Sequence, residues 1–202
     1  MTNTEPRPAL VRTMTSADVD AVVSLQVAFL DGSVVTELGP AFLKRFHRAA
    51  LAHASIQAVV AIGARDAVVG FVQASRDVHA FNRHMKPRVV APLGLALLAP
   101  MRWRLIPHFV RAIGDREPEP AMPAELLLLV VDASQRRQQI GRRLVDALED
   151  AFRSEHVSRY RVAVRSHLAI ARAFYLATGF VPEQELSVLG APMTYLTKVV
   201  RT

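Results

Sequence analysis

The sequence predicts an α/β (α+β) fold: a mixed, mostly antiparallel central sheet with helices on both faces. Three observations carry this. Gln57–Ala64 and Ala67–Ser75 are two β-rich runs separated only by Arg65-Asp66, the pattern of a hairpin. Glu125–Val131 is a near-continuous apolar run, the pattern of a strand covered on both faces, and a helical repeat follows it after a short polar turn. A last pair of strand patterns, Glu185–Leu189 and Pro192–Val200, flanks Gly190.

The remaining elements follow in order. Residues 1–10 read as a flexible lead to a single domain over 11–202. Thr15-Ser16-Ala17-Asp18 has the form of a capping box, and Val19, Val22, Val23, Val27 and Leu30 follow at helical spacing, giving a helix over about Ser16–Leu30. Asp31-Gly32-Ser33 breaks it. Gly39-Pro40 opens a second helix, with Phe42, Leu43, Phe46 and Ala50 on one face. Residues 83–116 form an atypical apolar and basic insert, with its proline-punctuated part, 83–113, helical in pieces; Asp115–Pro120 is a loop. Beyond the apolar strand, Ile140, Leu144, Leu148 and Phe152 mark a helix, Tyr160–Val164 alternates as a strand, and Leu168–Thr178 is a helix stopped by Gly179. The order is α-α-β-β-insert-β-α-β-α-β-β.

Composition narrows the chemistry. A chain of 202 residues, 51% hydrophobic and 21% charged, can bury a core and does not have a disordered composition. It has no cysteine, so thiol nucleophiles, disulfides and thiolate metal sites are excluded. Seven histidines show neither His-x-His nor His-Glu-x-x-His spacing, and no metal is expected. The polar start lacks a signal-peptide pattern, and Val89–Met101 is broken by Pro92 and Pro100, so a cytoplasmic protein is expected. The net charge of +7 is local: residues 83–116 carry seven basic residues against one acidic, and Arg136, Arg137, Arg142 and Arg143 surround one turn. Arg102, Trp103 and Arg104 give the insert a basic-aromatic mixture, read as an acceptor-site lid or a homodimer contact in preference to a nucleic-acid or membrane surface.

The informative segment runs from Glu125 to Leu144. A buried strand ends in a polar turn whose last residues begin a helix, and the first N–H groups of a helix lack internal partners and lie at its positive end. Such a start suits a pyrophosphate. Arg136-x-x-Gln139-x-Gly141 resembles the acyl-CoA signature of the GNAT superfamily of N-acyltransferases, Arg/Gln-x-x-Gly-x-Gly/Ala, with Gln139 replacing its middle glycine. Downstream, Val164–Phe180 resembles the Asn-x-x-Ala-x-x-x-Tyr-x-x-x-Gly-Phe block of that superfamily. Ala171, Tyr175, Gly179 and Phe180 match, and Leu168 stands at the asparagine position, where Ser166 or His167 is a candidate substitute for the lost contact. Val11-Arg12-Thr13, the capped helix and the hairpin ending Val69-Gly70-Phe71-Val72 also resemble its opening.

The resemblance implies a GNAT-like acyl-CoA-binding fold and transfer of an acetyl group from acetyl-CoA, by direct attack in a ternary complex, to an amine on a small molecule or protein. It places the pyrophosphate on the N–H groups of Arg137, Gln138, Gln139, Ile140, Gly141 and Arg142, with Arg136 also in the cofactor site, and the pantetheine arm along the main chain of Leu129, Val130 and Val131. Tyr175 stands at the family's general-acid position. Its other reading is a tyrosine packed on the sheet. Glu125, sixteen residues before Gly141, stands at the offset of a general base in relatives that acetylate protein lysines, and its entry into an apolar run favours proton capture. Its other reading is an exposed strand-end glutamate. Asp31 and Glu37, in the loop that borders the acceptor cleft, are candidates to contact the acceptor ammonium. Two rival readings are a CoA-binding or regulatory module that has lost catalysis, supported by Gln139 and Leu168, and a nucleic-acid or membrane-surface binder through the insert.

Overall fold

A computed structural model describes residues 9–30, 36, 38–96, 122–188 and 191–201. Seven strands form one sheet in the order β1-β2-β3-β4-β5-β7-β6: β1 (Leu10–Thr13), β2 (Ile56–Ile62), β3 (Val68–Ser75), β4 (Glu125–Val131), β5 (Arg159–Arg165), β6 (Val181–Val188) and β7 (Ala191–Val199). Every pairing is antiparallel except β4 with β5. The helices are α1 (Val19–Phe29), α2 (Pro40–Leu51), α3 (Val78–Ala96), α4 (Ile140–Ser154) and α5 (Ala169–Ala177).

Both faces of the sheet are covered, as the patterning predicts. On one face α4 buries Ile140, Leu144, Val145, Leu148 and Phe152 against Val59, Val72, Leu126 and Val162, with Tyr175 and Phe180 in the same cluster. Gly70 on β3 brings α4 close, because a Cβ there would meet Leu144 Cδ1 at 3.2 Å and Ile140 Cγ2 at 3.4 Å. On the other face α1 and α2 bury Val19, Val22, Val23 and Leu43 against Val60, Phe71 and Val130. An ion pair links α4 to β7, with Lys198 Nζ 2.5 Å from Glu149 Oε1, and the Tyr160 hydroxyl donates to the same oxygen at 2.7 Å.

The local signals act as expected in the first half. Asp18 accepts from the Thr15 N–H at 2.8 Å and from Arg12 at 2.7 and 2.8 Å, so the capping box also ties β1 to the start of α1. Arg65 and Asp66 both take φ of 57°, the left-handed pair that a type I′ hairpin turn requires.

Three differences are informative. The chain adds β1 before the first helix; at four residues with one half-buried side chain, it carries too little pattern to be read as a strand. Helix α3 begins at Val78, ahead of the expected insert, and carries residues 83–96 through Pro87 and Pro92 without a break, after the Asp77 carboxylate caps the N–H of Ala80 at 2.9 Å. The strand expected from Glu185 begins earlier, at Val181, and Pro182 fits because β6 is an edge strand. The rest of the insert from residue 97, including Arg102, Trp103 and Arg104, lies outside the described residues, as do Asp31 and Glu37. Among the described residues no helix is long and apolar enough to cross a membrane.

Candidate active site

Strand β4 parts from its neighbour. It pairs with β5 only at Glu125–Arg161 and Leu126–Val162, whereas against β3 it stays paired to Val131, opposite Gly70. From Leu127 onward the side of β4 facing β5 therefore has no strand partner among the described residues, and its main-chain groups border an opening between two parallel strands. A bulge lies where the strands part. Gln73 faces Leu128 and Ala74 faces Leu126, leaving Leu127 without an opposite residue. Leu127 and Leu128 consequently both pack on the α1–α2 side, while Leu129 and Val131 pack toward α4.

The strand runs into the predicted turn. Asp132 Oδ1 accepts from the Ser134 N–H and hydroxyl, both at 2.8 Å, closing a short 3₁₀ turn over Ala133–Gln135. Arg137 and Gln139 then adopt φ of 64° and 59°. This explains a glycine preference at position 139 that spacing alone does not show: the left-handed backbone costs a side-chain-bearing residue about 1 kcal/mol. Helix α4 begins at once. Among the described residues, the N–H groups of Arg137 through Arg142 have no acceptor, and Arg143 N–H is the first to bond back, to the Gln139 carbonyl at 3.0 Å. Arg136, Arg137 and Arg142 are exposed and make no ion pair among the described residues, so the positive charge around the turn is uncompensated. Arg143 instead donates to the Ala9 carbonyl at 3.2 Å.

The second block meets the first through packing. A Cβ on Gly141 would stand 3.0 Å from Phe174 Cε2, so the α5 ring rests on the first turn of α4. Tyr175 is buried, at 7% exposure, between Phe174 and Phe180, with ring centroids at 5.3 and 5.1 Å. Burial pushes its phenol well above the usual range, and the hydroxyl holds its proton at neutral pH. Leu168 is exposed immediately before α5. Of the two candidates to replace an asparagine there, Ser166 already lies 3.2 Å from Thr194 Oγ1, and His167 is exposed.

Glu125 is at the far end of β4 from the turn. It is half-buried and ion-paired: Arg161 Nε and Nη2 donate to its Oε2 at 2.8 and 2.6 Å, with exposures of 14% and 13%. The expectation of a carboxylate among apolar neighbours is thus modified by a guanidinium partner. Arg161 in turn lies over the Tyr195 ring, 4.7 Å from its centroid. Neither residue stands out in the sequence, although a basic residue at an alternating strand position next to an acidic strand end is the signal that could have found Arg161.

With this geometry in place, comparison with known proteins is decisive for the family. The acetyltransferase (GNAT) family model matches residues 29–180. The chain belongs to the GNAT acetyltransferase family. No curated protein matches this GNAT chain in sequence. Solved structures share its fold at low identity. The ribosomal-protein-S18-alanine N-acetyltransferase from Escherichia coli aligns with a TM-score of 0.60 and 12% identity, over 96% of this chain and 95% of the other. The PaiA N-acetyltransferase from Thermoplasma acidophilum, in complex with coenzyme A, aligns at 0.57 and 12%, over 95% and 98%. An aminoglycoside 6′-N-acetyltransferase complexed with coenzyme A aligns at 0.60 and 16%, over 96% and 98%. The parted strands, the bulge and the arginine-rich helix start all lie within the matched residues. Among the described residues, no group of three His, Asp or Glu is placed to hold a metal ion.

Proposed function

We propose that this GNAT acetyltransferase transfers an acetyl group from acetyl-CoA to an amine by direct attack in a ternary complex. The observation that carries the reading is the continuity of the unpartnered β4 edge with the N–H groups of Arg137–Arg142. An extended amide-containing arm needs a main-chain edge, a pyrophosphate needs converging N–H groups and positive charge, and the chain supplies both in succession. Leu129, Val130 and Val131 would hold the arm through their main chain. Arg136, Arg137, Gln138, Gln139, Ile140, Gly141 and Arg142 would hold the phosphates. Acetyl-CoA supplies the thioester.

The chain's own residues would manage two protons. Glu125 takes one from the acceptor ammonium, with Arg161 fixing its Oε2. Tyr175 Oη protonates the departing sulfur and recovers the second nitrogen proton as the adduct collapses to the amide, and burial keeps the phenol protonated beforehand. Asp31 and Glu37 would contact the acceptor ammonium. In this reading residues 11–202 form one domain, with the insert at 83–116 bordering the acceptor side.

One observation favours a second reading, a CoA-binding module without turnover: Tyr175 sits in an aromatic cluster, as a purely structural tyrosine would. The two part on one experiment. Coenzyme A release from acetyl-CoA, measured across a panel of small amines and amino-terminal peptides, should rise with at least one acceptor. Saturable binding without release on any of them would support the second reading.

A further inference from the structure

We propose that a cleft between α2 and α3, on the opposite face of the sheet from α4 and α5, binds an amphipathic monocarboxylate, of the medium-chain or aryl type. The cleft has a volume of about 400 Å³, within the range of small-molecule sites. Its floor is apolar. Phe42, Phe46 and Ala49 lie at helical spacing along α2 and face Met85 on α3. Beneath them Ala50, Phe81 and Met85 form a buried cluster that also reaches Leu127, the bulged residue of β4.

The rim carries the charge that selects the ligand. Arg45 and Arg88 line the same cleft, both are exposed, and among the described residues neither is paired with a carboxylate. Other arginines on this molecule do find carboxylates: Arg12, Arg76, Arg153, Arg159 and Arg161 are all ion-paired. Arg88 is held in place, its Nη1 donating to the His84 carbonyl at 2.7 Å. Among the described residues no acidic side chain lines the cleft. Two unpaired guanidiniums above an aromatic floor match a ligand with a planar anionic head and an apolar body. An amine would be repelled by the rim, and a small inorganic anion would leave the floor uncovered. The assignment uses none of the residues placed on acetyl-CoA or in proton transfer, although Met85, Pro87 and Arg88 belong to the insert that borders the acceptor side in that reading.

Calorimetric titration of the full chain with decanoate tests it, below the concentration at which decanoate self-associates. Decanoate should bind one to one, and decanol, which keeps the body and loses the charge, should bind about tenfold more weakly. The double variant Arg45→Gln/Arg88→Gln changes only exposed side chains; it should keep its melting temperature and lose about tenfold in decanoate affinity. Ala49→Phe, which fills the floor and leaves the rim intact, should lose binding by a similar factor. Saturating coenzyme A should leave decanoate affinity unchanged. The proposal is overturned by no binding at millimolar decanoate, by equal affinity in either variant, by equal affinity for decanol, or by displacement with coenzyme A, which would put decanoate in the cofactor site.

Discussion

The Phe174 ring lies against Gly141 so closely that a single added carbon would stand 3.0 Å from Cε2 and 3.1 Å from Cζ. This contact joins the helix that starts the anion-binding turn to the helix that carries Tyr175. The glycine at position 141 is thus required by packing between helices, since its own backbone is ordinary helix.

Gly141→Ala should therefore destabilise the protein by about 1–2 kcal/mol in urea unfolding, because overpacking outweighs the gain of up to about 1 kcal/mol in helix propensity. Adding Phe174→Leu should recover part of that loss. A fully additive double variant would show that the two residues do not interact.

Gln139→Gly should act in the opposite direction. It relieves a left-handed residue at φ 59° and clears the approach to the turn. Stability should rise by about 0.5–1 kcal/mol despite the greater freedom of glycine in the unfolded chain, and acetyl-CoA should bind more tightly. Equal melting temperature and equal affinity would show that the turn carries no strain at this position.

His47 sets a pH limit. Its ring is fully buried between Gln26, at 2.7 Å from Nε2, and Gln73, at 3.2 Å from Nδ1. Burial lowers its pKa to about 4. The unfolded chain binds this proton more readily, at about 6.5, so stability is full above that pH and falls as pH drops toward 4. The loss over that window should reach roughly 3 kcal/mol. His47→Gln should flatten the slope, as seen by urea unfolding at several pH values. An unchanged slope would place the titration elsewhere.

Tyr175→Phe should lower kcat about a hundredfold with little change in acetyl-CoA affinity, since the phenol is assigned a proton rather than a binding contact. Glu125→Gln should also lower kcat. A Tyr175→Phe enzyme with parental kcat would leave that tyrosine with packing alone.

Much of this was legible in the sequence because it rests on short-range rules. The hairpin at Arg65-Asp66, the capped start of α1 and the apolar run of β4 are written in local composition and spacing. What was not legible depends on partners distant in the chain. Arg161 reads as a strand arginine until β4 and β5 pair. The bulge at Leu127 hides inside a uniform leucine run, where no alternation marks a slipped register. The left-handed backbone at Gln139 follows from how the turn must re-enter a helix packed on Gly70. β1 is visible only through its pairing with β2.

In the proposed function the β4 edge and the Arg136–Arg142 turn form one binding surface for acetyl-CoA. Calorimetric titration of acetyl-CoA into the full chain tests it most directly, with Arg136→Gln/Arg137→Gln/Arg142→Gln as the comparison. One-to-one binding in the micromolar range is expected, weakened about tenfold or more in the triple variant and by added salt. Absence of binding, or an affinity unchanged by the triple substitution, would contradict it.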